Sequence, residues 1–95
     1  MIISFKSKDT ERIWRREWPK KLKLPDELCV KAYDKLRILH AAATIYDFYE
    51  PPSNRFEALK GDRKGQFSIR INNRWRVCFH FEDGHASGVE IVDYH

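Results

Sequence analysis

The first half of the chain carries hydrophobic residues at helical spacing. Between residues 28 and 43, apolar side chains recur every three or four positions, which predicts an amphipathic helix with one buried face. The Pro-Asp-Glu run at 25–27 suits the start of that helix, because proline fits a first turn and acids favour its positive end. A shorter helix before it is expected to begin from a cap at Asp9 or Thr10 and to run through about Glu17.

The hydrophobic pattern changes after the loop at 51–54, where two adjacent prolines disfavour helix. Beyond this loop, segments rich in β-branched and aromatic residues predict an antiparallel meander, and the opening residues 2–5 predict a further short strand. The sequence therefore predicts one α+β domain over residues 1–95, with two N-terminal helices packed on an antiparallel sheet of about four to five strands. The segments expected to form the meander are 56–60, 66–71, 75–81 and 89–92.

The register of the second and third meander strands follows from the alternation of their side chains. A two-residue turn between these strands would place their apolar sets on opposite faces of the sheet. A three-residue loop at 72–74 unites the two sets, because it pairs Ile69 with Val77. The pattern therefore predicts the longer loop, which also places Arg70 directly opposite Arg76.

The facing pair of Arg70 and Arg76 is unusual for a purely structural sheet. Like charges directly opposite one another destabilise a sheet by a few tenths of a kcal/mol to about 1 kcal/mol. An anionic ligand would relieve this repulsion, and the guanidinium fork matches phosphate in a bidentate manner. The alternative is that Glu90 or Asp93 on the neighbouring strand neutralises the pair.

Charge is distributed unevenly along a chain whose formal net charge is +4. Residues 55–76 contain seven Lys or Arg residues and two acids, and residues 12–23 contain six basic residues and one acid. Residues 82–93, in contrast, contain four acids and no Lys or Arg. A polyanion such as nucleic acid would be attracted to the two basic regions, although ordinary solvated surface charge is an equally good explanation from counting alone.

Several functional classes are excluded by what the sequence lacks. The chain has no apolar run of membrane-spanning length and no secretory signal pattern, so a cytoplasmic protein with no membrane contact is expected. Cys29 and Cys78 lie in apolar-patterned segments and are expected to be reduced thiols. The glycine-flanked loop at 61–65 lacks Walker spacing, and the histidines lack the spacing of metal ligands, so neither a nucleotide cofactor nor a metal is predicted.

Four ordered motifs in the second half resemble the HigB-type toxins of the RelE/ParE superfamily, also called the plasmid maintenance killer family. The resemblance implies a RelE-like fold and a type II toxin that cuts mRNA on the translating ribosome. It further implies inhibition by a HigA-type helix-turn-helix antitoxin, with operator DNA contacted only indirectly through that antitoxin. The motifs are LKGDR at 59–63, QFSIRIN at 66–72, WRVCF at 75–79 and VEIVDYH at 89–95.

Cleavage of RNA without a metal needs a base near the 2′-hydroxyl, an acid near the leaving 5′-oxygen and cations around the phosphate. Histidine suits the acid or base role because an unperturbed imidazole titrates near about 6.5. Some family members carry histidine where this chain has Glu57, and a carboxylate can also act as the base. The candidate catalytic residues are His95, Asp93, Tyr94, Lys60 and Glu57, and the candidate RNA-binding residues are Arg63, Lys64, Arg70, Arg74 and Arg76.

Two other functions remain open at the level of sequence. One is a ParE-like toxin that acts on gyrase without cutting RNA, and the other is a non-catalytic RNA-binding domain. The acid and histidine at 93–95 favour the nuclease, because a gyrase-binding toxin has no need of them. Strand alternation would nevertheless send Asp93 and His95 to one face and Tyr94 to the other, so all three can converge only if the strand breaks there.

Overall fold

Two helices and a four-stranded antiparallel sheet form the regular structure of residues 1–18 and 25–93, the part of the chain described by a computed structural model. The sheet order is β1-β2-β3-β4, so the predicted α+β meander is confirmed. Within the described residues, neither helix is long and apolar enough to cross a membrane. The elements are α1 (Lys8–Trp14), α2 (Asp26–Ala41), β1 (Glu57–Ala58), β2 (Phe67–Arg70), β3 (Trp75–Glu82) and β4 (His85–Asp93).

The N-terminal segment lies along the free edge of β4. Two isolated parallel bridges join Ile2 to Ala86 and Phe5 to Val89. Between them, the Ser4 hydroxyl accepts a hydrogen bond of 2.8 Å from the backbone amide of Gly88. The predicted opening strand is therefore present as a pair of bridges that extends the sheet by one short, parallel element.

The first helix is shorter than the sequence predicts. Its cap is Ser7, whose extended backbone lets the hydroxyl accept from the amide of Thr10, so the prediction of a cap at Asp9 or Thr10 was wrong. Thr10 is instead buried, and its hydroxyl accepts from the Ile91 amide at 3.0 Å, which ties α1 to β4. The helix ends at Trp14 because Arg16 has a left-handed φ of 62°, so the predicted extension to Glu17 was also wrong.

The second helix begins at Asp26, immediately after Pro25, as predicted. Ala43, which the sequence pattern placed on the buried face, lies beyond the helix end and is exposed, while Ala42 is buried. The difference arises because the chain becomes extended at Ala42, the residue that follows the last helical turn. The helix contributes Cys29, Ala32, Leu36 and Leu39 to the core.

The register of β2 and β3 agrees with the prediction in every predicted pair. Ile69 faces Val77 and Arg70 faces Arg76. The connecting loop is held by the Asn72 side chain, whose oxygen accepts from the amides of Arg74 and Trp75 at 2.9 and 2.8 Å. This local Asx-type turn explains why the loop has three residues and why both apolar sets share one face.

The two faces of the sheet have different partners. The inner face packs on the helices and carries Ile69, Val77 and Phe79, all fully buried. The opposite side is called the outer face here. Alternation along the four strands gives it a polar set that consists of Glu57, Ser68, Arg70, Arg76, Cys78 and Glu90.

A bulge in β4 interrupts the alternation of side chains. The register shifts between Cys78 and His80, opposite Gly88, whose φ is +57°. Since one extra residue lies in β4, Ala86 and Val89 both point to the core although they are three positions apart. Glycine suits this position because a side chain would be strained at that backbone angle.

Candidate functional site

One row of side chains crosses the outer face from edge to edge. The register places Glu57 beside Ser68, Ser68 beside Cys78, and Cys78 beside Glu90. The serine and cysteine in the middle are fully buried although they lie on the face opposite the core cluster. They are shielded by longer charged side chains, which form the actual surface of the outer face.

Arg76 is held firmly above this row. Its Nε atom donates to the Ser68 hydroxyl at 2.8 Å, and its Nη2 atom donates to the backbone carbonyl of Arg55 at 2.6 Å. The same Nη2 atom lies 3.6 Å from the Glu57 carboxylate, and only 11% of the Arg76 side chain is exposed. These contacts fix the guanidinium plane, so Arg76 needs little reorganisation to meet a ligand.

The glycine-flanked loop after β1 brings a second cation to the outer face. Residues Gly61–Arg63 form a 3-10 turn. From this turn Arg63 donates to Glu90 at 2.8 Å and to the Gln66 side chain at 3.2 Å. The Lys6 ammonium lies 3.7 Å from the same Glu90 oxygen, so this acid is shared between two cations. The loop thus serves as a strand connection that presents a basic side chain, as the absence of Walker spacing indicated.

The Cys78 thiol lies among these charges but is not a nucleophile. Burial raises its pKa most strongly, and the acids Glu90 and Glu57 raise it further, while Arg63 and Arg76 oppose the shift. A raised thiol pKa means a protonated and unreactive cysteine at neutral pH. Cys29 and Cys78 are both buried and are not joined to each other.

Arg70 lies opposite Arg76 and differs from it in its surroundings. Its guanidinium donates to the side-chain oxygen of Asn73. No carboxylate within residues 1–18 and 25–93 lies at ion-pair distance from Arg70. Neutralisation of Arg70 by Glu90 or Asp93, the structural alternative raised by the sequence, is therefore not observed.

A cleft of about 420 Å³ opens between these arginines and the loop that joins β2 to β3. It is called the arginine cleft here and is lined by Arg55, Arg70, Arg76, Asn72 and Asn73. The lining offers many hydrogen-bond donors from three guanidinium groups and two amides, and the Glu57 carboxylate lies beside it, 3.6 Å from Arg76. This combination of donors fits a phosphate group.

Arg55 is a member of the cleft that the sequence did not single out. It follows a 3-10 turn at Pro52–Asn54 and has a left-handed φ of 44°. This backbone conformation places its carbonyl against Arg76 and its side chain at the cleft. Its position in the basic stretch at 55–76 was the one signal available, because a left-handed arginine has no sequence signature.

The described end of β4 is organised by a bidentate ion pair. Arg74 Nε lies 2.9 Å from each carboxylate oxygen of Asp93, and Arg74 Nη2 lies 2.7 Å from one of them. The pair raises the pKa of Arg74 through the hydrogen bonds and charge of Asp93. Asp93 faces Trp75 across the strands, so it follows the alternation of the inner face and stands apart from the row of Arg70 and Arg76.

The remaining sequence-predicted residues fall into two groups. Lys60 and Lys64 are exposed on either side of the 3-10 turn that carries Arg63. Tyr94 and His95 lie outside the described residues. Within the described part of the chain, no three His, Cys, Asp or Glu side chains converge in a way that could hold a metal ion.

Comparison with known structures defines the class of fold. A chain of the YoeB-YefM toxin-antitoxin complex from Staphylococcus aureus aligns with a TM-score of 0.62 at 18% identity, covering 100% of this chain and 95% of that chain. At this level of identity the similarity concerns the fold alone. The architecture is that of RelE-like toxins.

Sequence comparison identifies the family. The profile described as RelE-like toxin of type II toxin-antitoxin system HigB matches residues 3–95, so the chain belongs to the HigB-like toxin family. Toxin HigB-1 of Vibrio cholerae serotype O1 is 38% identical over 86 residues, which is 90% of each chain. Endoribonuclease HigB of Proteus vulgaris is 30% identical over 95 residues, which is 100% of each chain. The chain is thus the toxin of a type II toxin-antitoxin pair, and its partner is an antitoxin.

Proposed function

We propose that this toxin is a ribosome-dependent, metal-independent mRNA endonuclease that inhibits translation in the cytoplasm. The observation that carries the proposal is the arginine cleft, in which Arg55, Arg70 and Arg76 converge beside the Glu57 carboxylate on the outer face. A cationic cleft next to a potential base is what cleavage of a phosphodiester by its own 2′-hydroxyl requires. The name of the Proteus vulgaris relative, an endoribonuclease, supports the same activity.

In the proposed reaction, the 2′-oxygen of one nucleotide attacks the adjacent phosphorus and the bond from phosphorus to the 5′-oxygen breaks. A base removes the proton of the 2′-hydroxyl, and an acid delivers a proton to the departing 5′-oxygen. The products are a 2′,3′-cyclic phosphate and a 5′-hydroxyl. Arg70 and Arg76 bind the phosphate and stabilise the negative charge that develops on its oxygens.

The proposed base is Glu57 and the proposed acid is His95. Glu57 lies 3.6 Å from Arg76 and is about half exposed, so its carboxylate can reach a bound nucleotide and serve as base. His95 is the proposed acid, and Tyr94 contacts the phosphate or stacks on a base. Arg74 holds Asp93 in place and thereby anchors the strand end that leads to these two residues. Additional positive charge comes from the 3-10 turn after β1, at Lys60, Arg63 and Lys64.

The proposed substrate is the message on a translating ribosome. The sheet is small and its clefts offer few contacts to bases, so binding of free RNA is expected to be weak. The ribosome would hold the message in place and supply the proximity that the toxin alone lacks. A HigA-type helix-turn-helix antitoxin is the proposed neutralising partner, with operator DNA bound through the antitoxin.

The test is induction of the toxin in a bacterial host, followed by mapping of transcript 5′ ends. New ends inside translated codons are expected for the unmodified chain, and their loss is expected for His95→Ala and Asp93→Ala. Arg37→Ala, an exposed change on α2 outside both basic regions, is the control and should cut normally. Growth should recover when a HigA-type helix-turn-helix antitoxin is expressed together with the toxin.

The other two functions give different outcomes in the same cells. DNA breaks with intact messages would establish the gyrase-directed activity and reject the nuclease. Intact messages and intact DNA in growing cells would reject toxicity itself and leave a non-catalytic RNA-binding domain.

A further inference from the structure

A second cleft adjoins the arginine cleft on the side of α2. It also has a volume of about 420 Å³, and it shares Arg70, Asn72 and Asn73 with the arginine cleft. Its other side is formed by Lys31 and Lys35 of α2 together with Ser53. It is called the lysine cleft here. Because the two clefts share three lining residues, they are neighbours at the loop between β2 and β3.

The lysine cleft concentrates positive charge, with two lysines of one helix at its wall. Lys31 and Lys35 are four residues apart on one helix, and like charges at this spacing destabilise a helix by a few tenths of a kcal/mol. Arg70 adds a third cation from the sheet. An acid, Asp34, lines a smaller cavity of about 300 Å³ together with the two lysines.

Lys35 is held in the cleft by a buried side chain. Its ammonium donates to the side-chain oxygen of Asn54, which is fully buried. The Asn54 amide nitrogen in turn donates to the backbone carbonyls of Phe48 and Glu50, at 3.2 Å each. The ammonium is therefore fixed by the fold before any ligand arrives. Burial lowers the pKa of Lys35, with Asp34 acting in the opposite direction, so a bound anion would favour the charged form of this lysine.

We propose that the lysine cleft is a second RNA-binding subsite, which binds a backbone phosphate distinct from the one in the arginine cleft. The proposal rests on the proposed function and extends it to the neighbouring cleft. Lysine is a point charge without the fork that reads base edges, so this subsite adds affinity and leaves codon preference unchanged. The phosphate belongs either to the message, several nucleotides from the cleaved bond, or to ribosomal RNA.

The test compares two exposed cations of α2 in a chain that carries His95→Ala, which prevents cleavage. Lys31→Gln removes a charge from the lysine cleft, and Arg37→Gln removes one from the other side of the same helix. Affinity for a ten-nucleotide single-stranded RNA is measured at several salt concentrations. Lys31→Gln is expected to weaken binding at low salt several-fold and to reduce the salt slope by about 0.7, the value for one lost phosphate contact. Arg37→Gln should leave both the affinity and the salt slope unchanged. A dinucleotide should bind all three chains with equal affinity.

A second arm measures binding of the same three chains to ribosomes without message. If Lys31→Gln lowers the affinity for the oligonucleotide, the phosphate belongs to the message. If Lys31→Gln lowers the affinity for vacant ribosomes alone, the phosphate belongs to ribosomal RNA. Equal affinity and equal salt slope for all three chains in both arms would overturn the inference. If the unmodified toxin still cuts transcripts in cells in that case, the proposed function stands and the second subsite alone fails. Lys31 is exposed, so thermal unfolding of Lys31→Gln should match that of the parent.

Discussion

The inner and outer faces of the sheet are built from the same strands and the same backbone hydrogen bonds, yet their side chains serve different purposes. On the inner face Ile69, Val77 and Phe79 are fully buried against the helices, and their removal from water stabilises the fold. On the outer face charged residues surround buried Ser68 and Cys78. Partly exposed ion pairs add little stability, so the charges of this face are explained better by a ligand than by folding.

The largest expected difference between the faces is in the free energy of unfolding, and truncation of Phe79 on the inner face tests it. Its ring lies against those of Phe48, Phe67 and Phe81, with centroids 5.1, 6.3 and 6.5 Å away. Phe79→Ala is expected to lower the free energy of unfolding by about 3–5 kcal/mol, a large share of the total for a small domain. Urea denaturation measures the loss. Arg70→Ala, on the neighbouring strand and the outer face, should lower the free energy of unfolding by less than about 1 kcal/mol. Equal losses for the two variants would contradict the assignment of stability to the inner face.

The second prediction concerns activity without loss of the fold. Arg76→Lys keeps the positive charge of the outer face but cannot reproduce the fork that contacts Ser68 and the Arg55 carbonyl. We expect cleavage of a translated message in an extract to fall by about 10²- to 10³-fold, the cost of losing a group that stabilises developing charge. The circular dichroism spectrum should remain that of the unmodified chain. Cleavage at the original rate would exclude Arg76 from the site.

The faces of the sheet could be predicted from sequence because alternation is a local rule. The observed register pairs Ile69 with Val77 and Arg70 with Arg76. It could be predicted because the requirement for one continuous apolar face fixed the loop length. The bulge at Gly88 could not be predicted, since it depends on the N-terminal segment that pairs with β4. The early end of α1 was missed for a similar reason, because helix propensity does not reveal a left-handed residue.

The site was only partly predictable. Arg70 and Arg76 could be paired by register, but the contribution of Arg55 depends on a left-handed backbone after a proline-rich turn. Lys35 lies off the apolar stripe of α2, and its contact with buried Asn54 joins residues that are nineteen positions apart in the chain. Side chains that meet through tertiary packing leave no periodic signal in the sequence.

A third prediction concerns Gly88, where the bulge interrupts the alternation of side chains between the two faces. At Gly88 the bulge turns both Ala86 and Val89 toward the core. Gly88→Ala places a side chain at a φ of +57°, where the added Cβ would also lie 3.5 Å from the His80 ring. The expected cost is about 1–2 kcal/mol of unfolding free energy, because an L-residue is strained in this conformation. Ser87→Ala is the neighbouring control and should be close to neutral in the same thermal denaturation experiment. A neutral Gly88→Ala would mean that the bulge tolerates a side chain.

The smallest expected effect concerns Lys35 in the lysine cleft. It distinguishes a charged side chain that serves ligand binding from one that stabilises the fold. Burial places the pKa of Lys35 in the folded chain below its ordinary value of 10.5, even though Asp34 opposes the shift. Lys31 and Arg70 line the same cleft. Between the lowered folded pKa and 10.5, the unfolded chain binds more protons at this site, so unfolding free energy should rise with pH across that window.

Tyrosines and other lysines titrate in the same range, so the measurement is the difference between the unmodified chain and Lys35→Gln at each pH. The glutamine amide can still donate to Asn54 but does not titrate. This difference should move in favour of the unmodified chain from neutral pH upward and level off above 10.5. A difference that moves the other way would show that the folded state prefers the charged lysine, and the charge would then need no ligand to explain it. The expected direction instead means that burial of Lys35 in the fold disfavours its charged form.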